Sequence, residues 1–143
     1  MRCLNPFPLP DRLDPDLQTV VSFWESLRRA ENGMPFGDDL KFPDLTDLPA
    51  KPFVLSVFTL PERFRFEFLD RRLQGAAIAG RFIDEISADA NFSFLRAQAS
   101  ATLEAAEPTF VGLSEDSGRG FERLLLPMWG NGQINTLLGA VSS

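Results

Sequence analysis

Three kinds of side chain in this sequence could do chemistry: carboxylates in adjacent pairs, arginines set among aromatic rings, and one thiol. Asp38-Asp39 falls in a proline-bounded stretch where two carboxylates could hold a hard cation. Asp84-Glu85 falls in a segment that reads as helical, where adjacent side chains point in different directions. Paired acid catalysis needs two carboxyls facing each other across a cleft, and neither spacing supplies that, so both pairs read as solvated surface. Histidine is absent. That removes imidazole general bases, Ser-His-Asp and Cys-His nucleophiles, and His-ligated haem or zinc. Cys3 is the sole cysteine, so thiolate zinc sites, iron–sulfur clusters and intrachain disulfides are closed off as well. No GxxxxGK loop occurs. Gly118, Gly120, Gly130 and Gly132 read as loop and hairpin punctuation. No metal, no cofactor and no turnover are expected.

Binding is the chemistry left. Phe64, Phe66 and Phe68 alternate with Arg65 and Glu67, which puts three rings on one face of a half-buried strand. They either fill the core or wall an apolar pocket, with Arg72 or Arg123 as an anchoring charge. Arg123 alternates with Phe121 and Leu125, so it shares their face. There it needs a partner or an anionic ligand, unless a bulge or an edge strand lets it reach water. A second set reads as core or, where the monomer leaves it exposed, as an interface. Val20, Phe23, Trp24 and Leu27 fall on one broad helical stripe, and Trp129 sits at a strand end beside a turn.

Composition bounds the partners. The formal net charge is −6, and Lys41 and Lys51 are the only lysines, which argues against nucleic-acid backbones and anionic membrane surfaces alike. Arg71-Arg72, with Arg63, Arg65 and Arg81 nearby, reads as a solvated face balanced by acids. No apolar run is long enough to span a bilayer, and the start MRCLNPFPLPDRL lacks a signal-like apolar stretch, so a cytoplasmic protein is expected. The 14 Phe and no Tyr imply an interior rich in rings and poor in phenolic hydroxyls.

These residues need elements to hold them. Residues 1–14 read as an irregular arm. Asp14 as cap, Pro15 at the first helical position and the Leu17, Val20, Val21, Trp24, Leu27 stripe predict a helix over 15–31 that Asn32-Gly33 stops. The proline-rich 33–52 reads as a crossing segment with a helical turn near Leu45, pinned by Met34, Phe36, Leu40, Phe42, Leu45 and Leu48. Phe53–Phe58 and Phe64–Leu69 predict a hairpin, and Gln74 to Ser87 one or two helical turns. A helix follows from Phe92 toward Pro108. TFVGLS, FERLLLPM and INTLLGAV predict three more strands, the last two joined at Asn131-Gly132. The expected fold is α+β, in one domain over 15–143.

The order of certain motifs resembles a bacterial family of short single-domain PAS-like proteins. The matching pieces are Trp24 with Leu27-Arg28, Met34-Pro35, the DLKFPDLTDLP crossing segment and FRFEFLDRRLQG with its Arg72-Leu73-x-Gly75 ending. The terminal FERLLLPMWGNGQINTLLGAV completes them. The resemblance covers most of 16–141. It implies a five-stranded antiparallel sheet in order 2-1-5-4-3, helices over one face above a ligand pocket, and the leading helix on the outer face, where it frequently serves dimerisation. PAS domains sense small molecules, redox state or light, or signal by contact. Gly80-Arg81-Phe82 follows Gly75 sooner than in relatives, which shortens the roof of the pocket. The cysteine of flavin-photoadduct relatives and the histidine of haem-binding ones have no counterpart here.

The expected function is therefore a non-catalytic sensory or regulatory module. It would bind an unidentified small apolar or anionic ligand and act as a homodimer or through a signalling partner protein. A purely structural interaction module with a filled core is the alternative. A carboxylate- and Arg123-based enzyme is a third reading, which would need a cleft with convergent polar groups.

Overall fold

Runs rich in aromatic and branched residues make five strands: β1 Lys51–Phe58, β2 Arg63–Leu69, β3 Thr109–Ser114, β4 Gly120–Gly130 and β5 Gln133–Ser142. β2 alternates, while β1, β4 and β5 carry continuous apolar runs buried on both faces. A computed structural model describes residues 7–29, 33–59, 61–70, 72–73, 80–85, 92, 94–114, 120–130 and 132–142, with backbone only at 113, 114, 120 and 121. All strand pairings are antiparallel and the order is β2-β1-β5-β4-β3, so the chain has a PAS-like α+β fold. The β4–β5 hairpin closes with Gly130 opposite Gln133. Gly132 takes φ +80° in that turn, as a two-residue turn requires.

The helices α1 Pro15–Ser26, α2 Phe42–Leu45 and α3 Leu95–Ala105 cover both faces of the sheet. On the outer face, Leu17, Val20, Val21 and Trp24 of α1 join Leu40, Leu45 and Leu48 of the crossing segment. Together they cover Val54, Leu124, Leu126, Met128, Leu138 and Ala140. On the inner face, Leu95 and Ala99 of α3 join Leu73 and Phe92 over Phe53, Leu55, Phe64, Phe66, Leu125, Leu137 and Val141.

Several boundaries differ from the sequence reading: β1 begins at Lys51 and not Phe53, β4 runs on to Gly130, and two helix ends move further. α1 ends at Ser26, not at 31, because its buried stripe ends at Trp24 and the Leu27 amide already turns back to the Trp24 carbonyl at 3.1 Å. Residues 30–32, with the expected stop at Asn32, lie outside the described residues. α3 starts at Leu95 and not at Phe92, since Phe94 adopts a left-handed φ of 62°. Of the short turns expected over 74–87, a 3-10 turn at Ile83–Glu85 is seen, while 74–79 and 86–91 lie outside the description. Phe42 was expected to pin the crossing segment, yet it is 40% exposed and only leans on Phe68. Leu40, Leu45 and Leu48 do the pinning.

Candidate functional site

The inner face carries the rings. Phe53 lies flat over Gly139, its partner across β1–β5, so closely that a Cβ there would sit 2.2 Å from the ring. Gly139 is therefore the one residue type that lets Phe53 reach the sheet surface. Phe53, Phe66 and Phe92 then contact one another edge-on, with centroids 6.1, 5.7 and 5.1 Å apart.

Beside the rings runs a buried polar network. Arg123, Gln98, Thr102 and Thr109 are each 0% exposed. Arg123 Nε donates to Gln98 Oε1 at 2.7 Å. Gln98 Nε2 donates to the Arg123 carbonyl and to Thr109 Oγ1, both at 3.2 Å. Thr102 and Thr109 hydroxyls meet at 2.6 Å, and Thr102 Oγ1 also bonds the Gln98 carbonyl at 2.8 Å. The network thus bolts α3 to β3 and β4 with directional bonds. Burial pulls the Arg123 guanidinium down to about pKa 10, because a charge withdrawn from water is disfavoured. The bulge or edge that might have carried Arg123 to water does not exist at that position: it pairs with Val111 on one side and Val141 on the other.

The residues expected to line one pocket are divided between two places. Phe64, Phe66, Leu125 and Arg123 are buried on the inner face. Of Phe121 only the backbone is described, opposite Leu113. Phe68 is a correction. The register steps from Leu55–Phe66 to Val54–Phe68, so Glu67 is the extra residue of a β-bulge and Phe68 turns to the outer face. There it stacks near Phe42, 5.4 Å between centroids. Arg72 is on that side of the split as well. It forks onto Asp70, with Nε and Nη2 donating at 2.8 and 2.9 Å, and this pairing raises its pKa. Thr46, Phe68, Leu69, Asp70 and Arg72 line a surface cleft of about 630 Å³, separate from the inner network.

The expected interface is also corrected in part. Val20 and Trp24 are used within the chain's own core, at 0% and 5% exposure, because the outer sheet face needs α1 as its cover. Trp24 Nε1 donates to the Pro127 carbonyl at 2.9 Å. Phe23 and Leu27 are partly buried against the same core, and Trp129 stays 36% exposed at the mouth of a cleft of about 420 Å³ with Gly33, Met34, Phe36 and Ala106. The arginines at the β1–β2 end are paired, Arg63 with Asp84 and Arg65 with Glu67, and Arg63 lies 3.7 Å over the Phe82 ring. Asp39 is bonded to Arg29 at 2.6 Å, and among the described residues no acid cluster suits a metal.

Sequence reasoning missed Gln98, Thr102 and Thr109. One signal was available: Gln98 lies three residues after Leu95, on the stripe that the helix turns inward.

No protein-family model matches the sequence, and no curated protein matches it. Among solved structures, the chain is similar to an RNA-binding Light-Oxygen-Voltage receptor. Sequence identity is 15% and the TM-score 0.43, over 98% of this chain and 36% of that one. The chain therefore spans little more than a third of that receptor's length. The fold assignment rests on the strand order of the chain itself.

Proposed function

We propose that this chain is a non-catalytic PAS-like sensory or regulatory module in which the seat of α3 on the inner sheet face is the variable read by a second copy or a partner protein. The observation that carries this reading is the buried Arg123–Gln98–Thr109–Thr102 network, which joins α3 to β3 and β4 inside an otherwise apolar interior. Directional bonds have discrete arrangements where apolar contacts slide, so such a network can hold one helix position and release it for another. A small apolar or anionic molecule against the rings and Arg123 would shift that equilibrium by its preference for one position.

One observation favours the alternative, an interaction module without a ligand. Phe53, Phe66 and Phe92 fill the described part of the inner face with ring contacts, and Phe53 closes on Gly139. Native mass spectrometry of freshly purified protein, repeated after denaturation, separates the two. A non-covalent extra mass released by denaturation is expected for the sensor. A chain or dimer of bare mass, unchanged by a panel of small carboxylic acids, selects the filled module instead.

A further inference from the structure

β3 begins at Thr109, opposite Leu125, so the last residues of β4 run past it. The crossing segment meets β4 there. The Trp129 amide donates to the Pro35 carbonyl at 2.8 Å, and Phe36 bridges Trp129 in parallel. Residues bridged across neighbouring strands turn their side chains to the same face, which sets the Phe36 ring beside the Trp129 indole. These two rings, with Met34, Gly33 and Ala106, wall the cleft of about 420 Å³.

Charge decides what such a cleft prefers. Ala106 is the C-cap of α3, so the cleft lies at the negative end of that helix's dipole. The last turn of α3 holds no basic residue, and the exposed Glu104 and Glu107 stand within two residues of Ala106. The ring faces add the negative side of their quadrupoles. Phe36 already takes a cation: the Arg29 guanidinium lies 4.9 Å from its ring centre. That guanidinium is bound by both oxygens of Asp39 at 2.6 and 2.7 Å, so it brings little net positive charge. An anion is disfavoured here, and a neutral apolar molecule gains nothing from the field. A cation with apolar substituents gains from both, because its diffuse charge meets ring faces and its methyl groups meet indole, phenyl and thioether.

We propose that the cleft between Trp129, Phe36 and Met34, at the end of α3, binds a small molecule through a quaternary ammonium group. Its volume falls within the roughly 300–1,000 Å³ of small-molecule sites. The site shares no residue with the Arg123 network, so it stands whether or not the inner face takes a ligand.

Choline tests this on the full chain. The control is its uncharged isostere, in which a tert-butyl group replaces the trimethylammonium. Two indole N–H signals in NMR separate the cleft from the core: Trp129 lines the cleft, whereas Trp24 is 5% exposed and bonded to the Pro127 carbonyl. Choline should shift the Trp129 signal saturably and leave that of Trp24 in place, with half-saturation at least tenfold below that of the isostere. Trp129→Leu, read on the Met34 methyl signal, should abolish saturation. Glu104→Gln with Glu107→Gln should raise the half-saturation about threefold. Equal response to the two compounds, no saturable shift of Trp129 with choline, or saturation that survives Trp129→Leu overturns the proposal.

Discussion

The two faces of the sheet are covered by helices made in opposite ways. On the outer face, α1 carries its own instructions. The Asp14 carboxylate accepts from the Asp16 amide at 3.1 Å and from Ser142 Oγ at 3.1 Å, Pro15 occupies the first turn, and four apolar residues repeat at helical spacing. On the inner face, α3 has no side-chain cap, and it begins and ends at left-handed non-glycine residues, Phe94 at φ 62° and Ala106 at φ 53°. Such residues cost about 1 kcal/mol each relative to glycine. Local sequence builds α1; tertiary bonds hold α3. A helix whose apolar contacts are supplemented by a few directional buried polar bonds has a position that a ligand or partner can change, whereas one held by a continuous apolar seam is scaffold.

That contrast can be broken by mutation. Truncating the outer seam should give the largest effect: Leu126→Ala, at 0% exposure, is expected to cost about 3 kcal/mol in urea denaturation with loss of both helices together. Preferential melting of one helix would show that the two faces are not one cooperative unit.

On the inner face, Gln98→Leu removes the amide that accepts from Arg123 Nε and should cost about 2 kcal/mol. Its signature should be local, with faster amide exchange in α3 while α1 stays protected. Equal change in both helices would deny α3 its separate mobility.

Arg123 adds a pH signature. With its folded pKa lowered to about 10, the unfolded chain keeps a proton above that pH which the folded chain has lost. Stability then rises with pH above 10, by at most about 1.4 kcal/mol per pH unit. Below pH 10 both states are protonated and the term is flat. No tyrosine titrates in that window, and Lys41 and Lys51 are the only lysines. Urea midpoints of wild type and Arg123→Met on both sides of pH 10 should therefore diverge only on the alkaline side. Parallel curves would place the guanidinium in a wetter setting than its burial implies.

The smallest effect sharpens the same contrast from the other direction. Ala106→Gly relieves a left-handed position at the end of α3 and should stabilise the protein by about 0.5–1 kcal/mol. The gain should appear as slower exchange in the last turn of α3, and an unchanged or lower midpoint would mean that the left-handed end is not a cost.

Much of the fold was legible in the residues because it is encoded locally. α1 announces itself through Asp14-Pro15-Asp16 and its stripe, and the β4–β5 hairpin through Asn131-Gly132 between apolar runs. β3 runs over the same six residues that TFVGLS predicted. The candidate site was less legible. Alternation in RFRFEFL placed Phe68 with Phe64 and Phe66, and only the pairing of β2 with β1 reveals the bulge at Glu67 that turns it away. Alternation also gave Arg123 a face, but its partner Gln98 comes from α3, 25 residues earlier, and Thr109, which Gln98 bonds in turn, from a neighbouring strand.

What the sequence determined by itself is every feature set by near neighbours: the capped start of α1, the strands, the hairpin turn and the absence of histidine. What only the tertiary structure decided is which residues share a space. Trp24 went to the protein's own outer face, Phe68 left the inner one, and Gln98 met Arg123 in the interior. The physical reason is range. Dihedral preferences and caps act over a few residues, whereas burial and buried hydrogen bonds are settled by strand register and by which apolar surface is left for each helix to cover.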